Sequence, residues 1–184
     1  SASGKGTVAS RVAEALGFLY LDSGALYRLT ALYAQKQNVA WTDEDAVSTL
    51  AETLPAQFEG SAVLLNGEDV SEQIRTEAIG MGASAVAQLP KVRAALLQRQ
   101  RDFLTEKGLV ADGRDIGSVI FPDAALKIFL TASANVRAQR RAKQLGIPCE
   151  GVAFERILSD IEARDEADRR RPVAPLKQLP DALL

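Results

Sequence analysis

The sequence contains no histidine and a single cysteine, Cys149, in 184 residues. Without histidine there is no imidazole general base, no Ser-His-Asp triad and no His-ligated zinc. One thiol can build neither an internal disulfide nor a thiolate metal cluster. That cysteine usage fits a reducing cytoplasm. No apolar run approaches the ~20 residues of a membrane span, and the opening residues lack the pattern of a secretory signal. Positive charge is not in excess either: 22 Lys and Arg stand against 24 Asp and Glu, a net −2. This balance argues against broad, sequence-independent binding to nucleic acid. Whatever chemistry the chain performs is left to Lys, Arg, Asp and Ser.

What is present, at 47% hydrophobic and 25% charged residues, is enough for one substantial core with room for a small inserted subdomain. The first seven residues, Ser1-Ala2-Ser3-Gly4-Lys5-Gly6-Thr7, run into the helical spacing of Val8, Val12, Ala15 and Leu16. A Gly-Lys pair with a hydroxyl close behind, opening a helix, is the back half of a phosphate-binding loop, in which backbone N–H groups and the helix N-terminus cradle an anion. The bland alternative is a helix start with a glycine and an exposed lysine. An earlier glycine and a hydrophobic strand are expected ahead of Ser1. Because Gly6 follows Lys5, the hydroxyl comes one place late, at Thr7. That spacing is more usual in small-molecule kinases than in switch GTPases, and it leaves direct Mg²⁺ ligation by Thr7 open.

Further along, Gly17 ends the first helix and Phe18-Leu19-Tyr20-Leu21 reads as a buried parallel strand. Asp22-Ser23-Gly24 turns into a helix striped by Leu26, Leu29, Leu32 and Tyr33. Helix, strand, helix is the rhythm of a doubly wound α/β domain, whose ligands sit beyond the carboxyl ends of the strands. Asp22, Ser23, Tyr27 and Arg28 fall there. Between about 41 and 89 the rhythm changes: Gln57-Phe58-Glu59, Ala62 to Leu65 and the turn Asn66-Gly67 predict a small antiparallel insert, followed by helix from about Ser71. Gly80 and Gly82 in that helix mark either a hinge or close packing. Pro90 starts another helix, and Leu109-Val110-Ala111 is a buried strand ending in the polar segment Asp112-Gly113-Arg114-Asp115-Ile116-Gly117. Ala125 to Leu130 predicts a further strand, 134–145 a basic helix, and Phe154, Ile157, Leu158 and Ile161 a last one. Ala182-Leu183-Leu184 reads as the start of a strand, so both termini are expected to lie inside a sheet.

A site for phosphoryl transfer needs an anion cradle, a lysine on the donor phosphates and arginines to neutralise charge; it needs no general base when the acceptor is itself a phosphate. Candidate arginines fall at strand ends or helix starts: Arg28, Arg114, and the trio Arg137, Arg140 and Arg141, which share one helix face. The alternative for the trio is a solvated basic face. Arg164, Asp168 and Arg171 share a face too, and an intrahelical bridge worth roughly 0.3–0.5 kcal/mol would explain Arg164 with Asp168. Arg169 and Arg170 beside them make the cluster denser than that explanation requires, although cations also suit a helix C-terminus.

Taken in order, Ser1 to Thr7, Leu21-Asp22-Ser23-Gly24-Ala25-Leu26-Tyr27-Arg28, Asp112 to Gly117, Phe121-Pro122-Asp123-Ala124, and Arg164-Asp165 through Arg171-Pro172-Val173-Ala174-Pro175-Leu176 resemble the motif set of the bacterial cytidylate kinase family. The resemblance covers nearly the whole chain, the insert included. It implies an α/β P-loop kinase with a doubly wound, mostly parallel sheet, a core at about 1–40 and 90–184, an acceptor-side insert at about 41–89 and a helical lid at about 137–152. It also implies transfer of the γ-phosphoryl group of ATP, with Mg²⁺, to CMP or dCMP by a cytoplasmic enzyme, expected to be a monomer without nucleic-acid or membrane partners. By similarity, Ser1, Ala2, Ser3, Gly4, Lys5, Gly6 and Thr7 hold the ATP phosphates, bordered by Arg137, Arg140 and Arg141. Arg28, Arg114 and Arg171 hold the acceptor phosphate and, with Lys5, form the catalytic set. Ser23, Ser84, Arg93 and Asp115 read cytosine, Tyr27 packs near the nucleoside beside Asp22, and Arg164 and Asp168 contact the sugar.

Base chemistry supports part of this independently. Cytosine offers an exocyclic amine and O2/N3 acceptors, so a carboxylate such as Asp115 and a guanidinium such as Arg93 are complementary to it, whereas uracil reverses the edge. For Ser84 and Arg93 a helical surface role is the competing reading. Two rivals remain at this stage. One is a P-loop kinase for another small acceptor. The other is a nucleotide-dependent switch, which usually carries an Asn-Lys-x-Asp stretch that is absent here.

Overall fold

The computed structural model describes residues 2–184; Ser1, expected in the phosphate loop, lies outside them. Helix α1 (Lys5–Leu16) begins at Gly4, whose φ of 91° lies in the left-handed region that glycine enters without strain, and ends at Gly17. Strand β1 (Leu19–Asp22) follows. Asp22 then caps α2 (Ser23–Lys36), its Oδ1 accepting from the Ala25 N–H at 3.2 Å. Helix α3 (Glu44–Glu52) leads into a three-stranded antiparallel sheet of β2 (Ala56–Glu59), β3 (Ala62–Leu65) and β4 (Glu68–Asp69). Asn66 and Gly67, at φ 52° and 78°, make the expected two-residue turn between β3 and β4.

The helix expected from Ser71 begins later. A short 3₁₀ turn at Gln73–Arg75 precedes α4 (Glu77–Val86), because the Thr76 hydroxyl is placed to cap the amide of Ile79. The two glycines of α4 serve packing. A methyl group on Gly82 would stand 2.4 Å from the Trp41 ring, and one on Gly80 would meet the guanidinium groups of Arg164 and Arg28 at 3.2 and 3.3 Å. Helix α5 (Pro90–Arg101) runs to β5 (Leu109–Asp112). After β5 the chain makes a π-helical turn at Ile116–Ile120, with no counterpart in the sequence reading. Then come β6 (Lys127–Ile128), α6 (Ala134–Leu145), α7 (Gly151–Arg170) and β7 (Ala182–Leu183).

Strand β1 pairs in parallel with β5 from Leu19↔Leu109 to Asp22↔Asp112, and β6 pairs in parallel with β7. The single sheet expected from the sequence is therefore, among the described residues, two separate parallel pairs. A cavity of about 1620 Å³ lies between them, walled by apolar side chains such as Val12, Val110, Ile120 and Phe129 and, at its polar end, by Lys5 and Arg114. The Ala125 to Leu130 strand is correspondingly short, since only Lys127 and Ile128 find partners.

The main core joins Leu21 of β1 and Leu26, Leu29 and Leu32 of α2 to Val47 and Leu54 around α3, Leu65 of β3, and Val92 and Leu96 of α5. Full burial of each such leucine contributes about 1.5–3 kcal/mol. A second, smaller cluster of Ala138, Ala142, Phe154 and Ile161 belongs to α6 and α7 alone. That helix pair thus packs chiefly against itself.

Candidate active site

Three polar groups meet near the carboxyl ends of β1 and β5. Lys5 at the start of α1 reaches Asp112 at 3.1 Å, and the Tyr20 hydroxyl donates to the other oxygen of Asp112 at 2.7 Å. Burial, and then the bond to Asp112, push the Tyr20 phenol well above its ordinary range. Asp112 Oδ1, the oxygen that Lys5 faces, is buried. The first-turn amides of α1 open beside this group. Arg140 of α6 donates to the Ser3 carbonyl at 2.8 Å and to the Ala2 carbonyl at 3.4 Å, tying α6 to the loop.

Beyond β5, Arg114 Nε stands 2.6 Å from Asp168 on α7, and Arg171 Nη1 stands 3.5 Å from the same carboxylate. Asp168 titrates above its ordinary value because burial outweighs the two guanidiniums. The Arg171 guanidinium is displaced downward, first by burial and then by neighbouring Arg93. Its Nε donates to the Ala174 carbonyl at 2.6 Å, while Nη2 is buried without a partner. A buried guanidinium nitrogen that lacks an acceptor favours an incoming anion.

The expected intrahelical pair of Arg164 with Asp168 does not form. Arg164 instead reaches across to Glu77 on α4 at 3.3 Å, and Glu77 also pairs with Arg141 of α6. Arg28 joins this cluster over Gly80 and donates to the Ile74 carbonyl at 2.7 Å. Its guanidinium is shifted downward by burial and by Arg164. The arginine trio of α6 divides as well. Arg141 and Arg140 face outward contacts, whereas Arg137 is buried and grips both oxygens of Asp165, with Nε on the Ala132 carbonyl at 2.9 Å. Arg137 therefore fastens α6 to α7.

A third group lies deeper. Arg93 and Asp115 form an ion pair, 7% and 4% exposed, so Arg93 is not a surface residue of α5. The Arg93 guanidinium lies over the Tyr27 ring at 5.3 Å, and burial is the main cause that raises the Tyr27 phenol. Ser23 donates to the fully buried Gln100 at 2.7 Å. Ser84 is turned into its own helix, donating to the Gly80 carbonyl at 3.2 Å. Thr7 is exposed at the first turn of α1. Three groups went unread in the sequence: Gln100, a single amide on a polar helix with no pattern; Glu77, which follows Thr76 like an ordinary first-turn acid; and Asp112, which opens a singled-out segment but had no role there.

An α/β frame whose strand ends gather a lysine at a glycine-started helix and several partly buried arginines is suited to holding phosphate anions. The model of the cytidylate kinase family matches residues 1–184. Cytidylate kinases of Neisseria meningitidis serogroup C and Neisseria gonorrhoeae are 81% and 79% identical to the chain over 183 residues, covering all of it and 84% of each relative. That of Chromobacterium violaceum is 60% identical over 184 residues, covering 83% of that protein. The chain belongs to the cytidylate kinase family.

Proposed function

We infer that the chain transfers the γ-phosphoryl group of ATP to CMP or dCMP, giving ADP and the nucleoside diphosphate. The observation that carries the residue-level reading is the buried Arg93–Asp115 pair beside Tyr27, a short way from the unpartnered nitrogen of Arg171. A base-reading pocket adjoins an anion site. Cytosine presents its amine to Asp115 and its O2/N3 edge to Arg93, and Arg171, Arg114 and Arg28 take its phosphate. Ser23 faces the base, Tyr27 packs against the nucleoside, and Arg164 with Asp168 contacts the sugar.

On the donor side, Lys5 and the amides of Gly4, Gly6 and Thr7 hold the ATP phosphates, with Arg140 and Arg141 approaching from α6. Arg137 acts by fixing α6 on α7. Catalysis is then placement and charge neutralisation: Lys5, Arg28, Arg114 and Arg171 stabilise the charge that spreads over the moving phosphoryl group, and no side chain needs to remove a proton. Mg²⁺ fits the residues present. The Asp112 carboxylate, which Lys5 faces at 3.1 Å, and the Thr7 hydroxyl are hard oxygen donors of the kind this cation takes. No cluster of three acidic, histidine or cysteine ligands exists among the described residues, so the nucleotide itself would supply most of its shell. When bound, Mg²⁺ supplies further neutralisation of the phosphates.

A sheet continuous across the space between β5 and β6, and closure of α6 and α7 as a lid, are the arrangement this function calls for; closure excludes water that would hydrolyse ATP. The separate packing cluster of α6 and α7 supports the lid. We take the working form to be a monomer whose partners are nucleotides. No helix among the described residues is long and apolar enough to cross a membrane. ADP release measured with CMP, dCMP, UMP, AMP and gluconate as acceptors tests the reading. Turnover with CMP and dCMP well above the others is expected, and equal turnover with UMP would refute the cytosine assignment.

A further inference from the structure

A serine hydroxyl both donates and accepts, so by itself it cannot tell an amine from a carbonyl. That matters here because cytosine and uracil differ at one edge by that exchange. In this chain the ambiguity is removed by a residue to which the proposed function gives no role. Gln100 of α5 is 0% exposed. Its Nε2 donates to the Leu96 carbonyl one turn back at 3.2 Å, which turns its Oε1 toward Ser23. Ser23 gives its only hydroxyl proton to that oxygen at 2.7 Å. With the proton committed, Ser23 offers only lone pairs to anything else that meets it. The Tyr27 phenol lies within reach of the same amide, and the Tyr27 ring stacks under Arg93, the partner of Asp115. Gln100 is therefore continuous with the residues assigned to the base.

We propose that Gln100 is a positioning residue that sets selectivity for CMP over UMP, by holding the Ser23 hydroxyl as an obligate acceptor. It never touches the nucleotide. It makes Ser23 attract the cytosine amine and oppose the uracil carbonyl, adding to the discrimination by Asp115. The proposal rests on the reading that Ser23 faces the base. A purely structural alternative exists, in which Gln100 simply ties α5 to α2, and it predicts equal losses with both substrates.

The test is kcat/KM for CMP and for UMP in the wild type, Gln100→Met, Gln100→Glu, Ser23→Ala and the Ser23→Ala/Gln100→Met pair, with thermal melting to establish folding. Gln100→Met lets the hydroxyl turn its proton toward uracil, and the CMP/UMP ratio should fall roughly tenfold or more. Gln100→Glu should keep most of the ratio. Buried there, the carboxyl stays protonated, donates to Leu96 and accepts from Ser23 as the amide did. In the Ser23→Ala background the further change to Met should leave the ratio where it stands, the mark of two residues acting as one. A folded Gln100→Met enzyme that loses activity equally on both substrates overturns the proposal. Should that variant not fold, a folded Gln100→Glu enzyme that has lost the ratio overturns it instead. If Ser23→Ala alone leaves the ratio unchanged, the contact of Ser23 with the base fails and the proposal with it. A wild type without preference for CMP refutes the functional reading itself.

Discussion

At the scale of single residues, the candidate site gathers arginines held partly out of water with few acidic partners. Arg114 shares Asp168 with Arg171, and Arg171 still has a nitrogen with no acceptor. Such groups lose solvation on folding and recover it only when an anion arrives. Arg114→Met should accordingly lower kcat by orders of magnitude, since charge-stabilising arginines are worth roughly 10³–10⁵ in the best cases. Near-normal kcat in steady-state assays of that variant would remove Arg114 from the catalytic set. Arg171→Met should act mainly on the acceptor, raising KM for CMP roughly tenfold or more while KM for ATP changes little; equal rises in both would place Arg171 elsewhere. The residue types of this site were readable as motifs, but their partners were not. Arg164 looked bound to Asp168 one turn away and instead meets Glu77, 87 positions distant in the chain. Helical spacing reports which residues share a face and says nothing of what a neighbouring helix presents to it.

At the scale of elements, local signals fared best where local chemistry decides the outcome. The Asn66-Gly67 turn, the Pro90 helix start and the glycine stops at Gly17 and Gly146 all stand where turn and cap preferences put them. The π-helical turn after Asp115 follows no such preference and was not legible. Gly82 admits two readings in the sequence, and the structure distinguishes them. The Trp41 ring, anchored by its indole N–H on the Ala31 carbonyl at 2.9 Å, fills the space a side chain would need. Gly82→Ala should destabilise the fold by about 1–3 kcal/mol through overpacking, measured by urea unfolding. Trp41→Leu in the same chain should recover part of that loss, and an unchanged midpoint in Gly82→Ala would contradict the packing account. The α6–α7 pair carries a pH signature. Burial tends to raise the Asp165 carboxyl, but the Arg137 guanidinium reverses this and holds it below its ordinary 3.8. The unfolded chain then binds the proton more readily, so this pair stabilises the fold above about pH 4 and loses its effect as pH falls through the lowered value. Asp165→Asn should flatten that acid limb in melting curves recorded between about pH 3 and 6; an unaltered limb would mean that the pair is not coupled to folding.

At the scale of the whole molecule, the two packing clusters match a division of labour. The larger joins α2, α4 and α5, and the smaller joins α6 and α7 to each other, which is what the proposed acceptor site and lid would need. Helix–strand rhythm made the α/β class legible, because buried parallel strands write themselves as short apolar runs. That β1–β5 and β6–β7 stand as separate pairs was not legible, since pairing between distant strands leaves no local trace. Sequence motifs singled out Gly4, Lys5 and the strand-end arginines, while the bond of Ser23 to Gln100 and the contacts of Arg93 with Asp115 and Tyr27 emerge only from packing. The central claim is that one cleft reads a pyrimidine at its buried end and grips the attached phosphate with arginines from different elements. A crystal structure with CMP bound tests it most directly. The account predicts cytosine against Asp115 and Arg93, with the phosphate among Arg28, Arg114 and Arg171; a nucleotide bound with its base away from Asp115, or its phosphate away from all three arginines, would contradict it.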